Sequence, residues 1–163
     1  MMQWFLALAA AVSCAALGAL ASRRLGARWR LARAWEDALA RMAEAVRQGN
    51  PTGEVLRRGA GKAVPLLGQA ADALDARPAQ TPGEWLAGLA WDALLLPEEK
   101  DALAACLSGL LTPDRDGQLC ALARCSDRWA EVVRRCRGEW DQNGGLYRHL
   151  GWLSGAALFI LMC

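Results

Sequence analysis

Residues 28–48, RWRLARAWEDALARMAEAVRQ, decide the fold. Leu31, Trp35, Ala38, Leu39, Met42 and Val46 recur at the three-and-four spacing that gathers side chains on one side of an α-helix. Glu36, Asp37, Arg41, Glu44 and Arg47 fall elsewhere on the wheel, so this is an amphipathic helix with one face to bury. Gly49-Asn50-Pro51 ends it. Downstream, Leu119, Leu122, Ser126, Trp129, Val133, Cys136 and Trp140 alternate spacings of three and four, a seam suited to bundle packing in a long helix expected from Asp114 to Gln142. Asn143-Gly144-Gly145 permits a bend after it.

Between these two helices the signals are shorter. One helix is expected from about Thr52 and another near 63–76, separated by Gly59–Gly61. Residues 77–82, RPAQTP, read as the clearest loop. Thr81 should cap the next helix, with Pro82 at its first position and Glu84 at its third. That helix is expected to break at Leu96–Glu99, and a further one to run to about Leu111. No stretch reads as a strand, and the composition agrees: Ala, Leu and Arg dominate and β-branched residues are scarce. The expected class is all-α, a multi-helix bundle.

The ends of the chain read differently. All 19 Lys and Arg and all 17 Asp and Glu lie between Arg23 and Arg148. Residues 1–22 carry no charge, and the run from Trp4 to Ala21 is long enough to span a bilayer, which takes roughly 20 apolar residues. Arg23, Arg24, Arg28, Arg30 and Arg33 follow before any acid, which predicts an N-terminus outside and a cytoplasmic middle. A cleaved signal wants its positive charge before the apolar stretch, so an uncleaved anchor is expected. The alternative is an exported or lipid-anchored helical protein that has lost this segment, with Ala11-Val-Ser-Cys14 as a faint lipoprotein box. Residues 150–163, LGWLSGAALFILMC, cover about 21 Å as a helix, short of a hydrocarbon core of about 30 Å. Tyr147, Arg148, His149 and Trp152 extend them at the interface, so a short second span is expected. Gly151 and Gly155 form a G-x-x-x-G pair that lets another membrane helix, or a second copy in a homo-oligomer, approach closely. The expected organisation is a transmembrane helix at 1–22, a cytosolic bundle at 23–145 and a short transmembrane helix at 146–163.

Nothing in the residues points to chemistry. A net charge of +2 implies no nucleic-acid partner, although the N-terminal arginines with Arg134, Arg135 and Arg137 suit an anionic bilayer surface. Six cysteines (14, 106, 120, 125, 136 and 163) contain no C-x-x-C pair, and the single His149 borders an apolar run. They read as small buried hydrophobes of a reducing compartment, without metal or cofactor. A thiol enzyme would use Cys120 or Cys125, but no base stands ready for either. Residues 58–62, RGAGK, lack the Gly at 56 and the Ser or Thr at 63 of a phosphate-binding loop. The neighbouring acids Glu36/Asp37 and Glu98/Glu99 read as solvated faces.

The layout resembles a known family. An apolar N-terminal anchor, a basic stem, a helical middle and a tail of the form L-G-x-L-x-G-x-x-L-x-x-L-L, here Leu150-Gly151-Trp152-Leu153-Ser154-Gly155 through Leu158 to Leu161, look like stage III sporulation protein AB. The stem's Met42, Val46 and Gly49 resemble the family's L-x-x-x-I-x-Y-G, with Gln48 in place of Tyr. Trp85 stands where the family carries Trp. Leu110, Asp114 and Gln118 fit L-G-x-x-D-x-x-x-Q, with Leu111 in place of Gly. The resemblance implies a bundle of about six helices similar to the F-type platform subunit of type II secretion and type IV pilus machines. It also implies a non-catalytic scaffold in the SpoIIIA–SpoIIQ channel between mother cell and forespore. The other SpoIIIA proteins would be its partners, with the stage III sporulation protein AA ATPase docked on the cytosolic side.

Overall fold

The computed structural model describes residues 2–76 and 81–162, with side chains placed from residue 12 to 160 except at 14, 15, 148, 151, 155, 158 and 159. Six helices follow in order: α1 (Met2–Arg47), α2 (Thr52–Gly59), α3 (Leu66–Ala76), α4 (Pro82–Ala87), α5 (Pro97–Leu110) and α6 (Arg115–Met162). Among the described residues there is no strand, only an isolated bridge between Gly61 and Val64. The all-α expectation holds. The chain forms two compact units, Arg30–Val133 and the paired ends Met1–Trp29 with Arg134–Cys163.

The first unit contains the bundle core. All six apolar positions read from the stem are buried, and Ala32 and Ala45 extend the stripe. Trp35 meets Trp129 of α6 with ring centroids 6.1 Å apart and planes tilted by 57°, within the separation at which aromatic pairs attract. Trp129 also donates its indole N–H to the Ala32 carbonyl at 2.8 Å, so its one polar atom is satisfied in the core. Gly59 lies against Met42 and Leu67, where a Cβ would stand 2.5 Å from Met42 Cγ; the α2 terminus reaches the stem because that residue has no side chain. Arg41 fixes the same corner, donating to the carbonyls of Arg58 at 3.1 Å and Gly59 at 2.9 Å. The stretch that superficially resembles a phosphate loop is thus a helix–helix corner with its carbonyls turned to an arginine.

Several boundaries differ from expectation, each for a local reason. α3 starts at Leu66 instead of 63, because Val64 precedes Pro65 and that position disfavours helix. α4 has the expected cap, with Glu84 N–H donating to Thr81 Oγ1 at 3.4 Å and Thr81 N–H to Glu84 Oε2 at 3.2 Å. It ends at Ala87, well before Leu96, because Gly88 closes it and Asp92 then bends the chain by accepting from Leu94 N–H at 2.8 Å. Glu99 is not solvated: it is 4% exposed, and its carboxylate accepts from Leu96 N–H at 2.9 Å at the start of α5. On the long seam Ser126 is exposed and Cys125 is buried in its place. A straight helix drifts from a strict 3.5-residue repeat, and Cys125 has a neighbour on α5.

In the second unit the expected bend at 143–145 is absent and α6 continues through it. Gly144 is buried; its carbonyl accepts from Ser22 Oγ at 2.9 Å, and a Cβ there would press on the Trp140 ring at 3.0 Å. The glycine makes room for a neighbour instead of a hinge. Val12, Leu17 and Leu20 of α1 and Leu146, Tyr147, Leu150, Trp152, Leu153 and Ile160 of α6 are exposed. No helix among the described residues is long and apolar enough to cross a membrane, so the expected flanking spans gain no support here. Before residue 12 of the N-terminal stretch the helix is described but its side chains are not. The 77–80 part of the expected loop and the packing of Gly151 and Gly155 lie outside the described residues.

Candidate functional site

The two interior stretches that carry the family pattern are far apart in sequence and meet at one end of the bundle. The stem ends in a left-handed glycine, Gly49 with φ +77°, which donates to Val46 O at 2.9 Å while Asn50 N–H reaches Ala45 O at 3.1 Å. This paired closure satisfies the carbonyls that a helix terminus leaves unbonded, and glycine adopts its φ without a Cβ penalty. Asn50 reinforces it, its side chain donating to Ala45 O at 3.0 Å. Thr52 then opens α2 and donates its hydroxyl to Leu110 O at 3.3 Å, tying this turn to the end of α5.

The α5–α6 turn is built by the expected trio. Leu110 ends α5 with its side chain buried. Asp114 precedes α6 and caps it, Oδ2 accepting from Gly117 N–H at 2.8 Å and Oδ1 from Asp116 N–H at 3.3 Å. Gln118 turns back over the loop and donates from Nε2 to Leu110 O at 3.0 Å and Thr112 O at 2.8 Å. Arg115 crosses to the stem and donates to the Arg47 carbonyl. Between the two turns is an open hollow of about 440 Å³, bordered by Asn50, Thr52, Thr112, Arg115 and Gln118. Its polar groups are already committed to backbone partners. The arrangement is a braced, polar end of the bundle that offers shape and hydrogen-bonding edges.

Trp85 does not belong to this end. It is buried under α3 and donates its indole N–H to Ala70 O at 3.0 Å, anchoring short α4 to the core. The thiol candidates separate too: Cys120 is exposed and Cys125 is buried.

The residues alone did not reveal a second cluster between α5 and α6. Cys106 and Cys125 are both free and share a hydrogen bond. The bond Cys106 donates, and then burial, push its thiol far above the usual range. Accepting that bond lowers Cys125; burial opposes the shift and the charge of Arg128 assists it. The only trace in the sequence is spacing: Cys125 lies four residues from Ala121 and Cys106 three from Gly109, and these two small residues touch. Among the described residues no group of three His, Cys, Asp or Glu gathers to hold a metal.

No curated protein and no solved structure matches the chain. The family model of stage III sporulation protein AB matches residues 3–163. With the tail, the stem glycine and the capped α5–α6 turn all falling inside that match, the chain belongs to the stage III sporulation protein AB family, which gives it a role at stage III of sporulation.

Proposed function

We propose that this protein is a non-catalytic platform subunit in the membrane around the forespore, with its bundle in the mother-cell cytosol. Residues 1–22 and 146–163 anchor it, both termini face away from the cytosol, and its neighbours are the other SpoIIIA proteins of the SpoIIIA–SpoIIQ channel. The bundle docks the stage III sporulation protein AA ATPase, as the F-type platform does in type II secretion and pilus machines, and needs no cofactor. Gly151 and Gly155 are where another membrane helix, its own copy included, would pack.

One observation carries the reading. Large apolar side chains are enclosed within residues 31–46 of α1 but exposed at Val12, Leu17 and Leu20 of the same helix, and at Trp152, Leu153 and Ile160 of α6. Exposed apolar surface of this extent marks contact with lipid or with another protein. The residues flanking these stretches add direction: arginine stands only on the inward side of each.

The test uses the full chain. Topology reporters fused at either terminus should report the outside, and one inserted at 77–81 should report the cytosol. The chain in bilayer nanodiscs should retain the purified ATPase. A cytosolic signal from a terminus, or no retention at micromolar ATPase, overturns the corresponding half of the proposal. A mature mass lacking the N-terminal segment would point instead to the exported alternative.

A further inference from the structure

α5 and α6 approach unusually closely at Gly109, where a Cβ would stand 2.5 Å from Ala121 Cβ. One turn away along each helix are Cys106 and Cys125, on an antiparallel pair whose backbones that glycine brings together. Both thiols are free, and both line an open hollow of about 330 Å³ whose rim bears Arg124 and Arg128. The other lining residues are alanines, and the two thiols at its wall are buried.

We propose that Cys106 and Cys125 form a dithiol site that a small acidic disulfide oxidises, cross-linking α5 to α6. The two arginines suit a carboxylate-bearing oxidant, and the hydrogen bond from Cys106, with the charge of Arg128, favours the thiolate at Cys125. The Cys125 thiolate attacks one sulfur of the oxidant, forming a mixed disulfide and expelling the first thiolate. That leaving group takes the Cys106 proton. The Cys106 thiolate then attacks Cys125 Sγ, breaking the mixed disulfide and expelling the second thiolate, which takes the proton first lost by Cys125. Two protein thiols become one disulfide as one oxidant disulfide becomes two thiols. The two thiols line one hollow, one turn from the Gly109–Ala121 contact, so the S–S bond of about 2.05 Å would close between neighbouring turns of the two helices. In a reducing cytosol the pair rests as thiols; a rise in disulfide pins the α5–α6 hairpin. The cytosolic setting rests on the proposed topology, whereas the dithiol chemistry does not need the platform role.

The test is oxidised glutathione on the full chain in nanodiscs, followed by alkylation and non-reducing peptide mass analysis. The expected product is a Cys106–Cys125 linked peptide, with two glutathiones released per chain. The thermal midpoint should rise by about 6–12 °C over the dithiothreitol-treated protein. Cys120→Ser, which removes the exposed thiol, should leave the cross-link intact. Cys106→Ser should trap glutathione on Cys125; if that variant fails to fold, the wild-type peptide mass decides. Glutathione held on Cys120 while Cys106 and Cys125 remain alkylatable after unfolding overturns the proposal.

Discussion

Trp129 and Trp152 sit on one helix and could hardly be treated more differently. Trp129 is 1% exposed, tilted against the Trp35 ring and hydrogen-bonded to Ala32; Trp152 is 75% exposed. The stem repeats the contrast, with Met42 enclosed and Leu17 bare. Apolar residue type is therefore shared by both units, and only the spacing of polar residues among them tells the two apart. Where Glu and Arg alternate with the apolar stripe, the helix buries its face in protein. Where they stop, the apolar side chains lie on the surface, and their proposed solvent is lipid.

The most severe way to break this contrast is Trp129→Ala. Emptying a buried indole site should lower stability by about 3–5 kcal/mol, read as a loss in urea midpoint on the full chain. An effect under about 1 kcal/mol would mean the core does not depend on this ring. Next is Gly109→Ala, which drives a methyl into Ala121. Overpacking costs about 1–3 kcal/mol, and the gain in helix propensity returns about 1, so a net loss near 1 kcal/mol is expected. Adding Ala121→Gly should recover part of the packing loss; strict additivity of the two changes would contradict the contact.

Asp114→Ala removes the α6 cap and should cost about 1 kcal/mol, with Asp114→Asn retaining most of the stability. The smallest effect belongs to the exposed half. Trp152→Ala should change bundle stability by less than about 0.5 kcal/mol while weakening co-sedimentation with anionic vesicles. If stability falls and vesicle binding does not, the exposed tryptophan has a protein partner and the contrast needs redrawing.

Patterns that repeat were legible in the sequence. Six stem positions at helical spacing all proved buried, and the Thr81–Glu84 cap formed as its residues require. Leu110, Asp114 and Gln118 meet because their spacing closes one turn, but the sequence could not say that the stem glycine would join them across 58 residues from Thr52 to Leu110. The misreadings share one cause. Glu99 and Gly144 each have a meaning set by a neighbour: the Leu96 N–H that Glu99 accepts, and an indole one turn from Gly144. Local propensity sees an acid and a helix breaker, and contacts with particular neighbours override both.

Gln118 has a consequence for which residues that turn accepts. Its amide nitrogen supplies both hydrogens to two carbonyls, of Leu110 and Thr112, while Thr52 supplies the second donor to Leu110. Glutamate has the length but no hydrogen to give; asparagine has the hydrogens but is one methylene short; lysine brings a charge that demands water. One amide on a stem of two methylenes thus reaches both carbonyls and leaves neither of its hydrogens unused, so the α5–α6 reversal hangs on a single side chain.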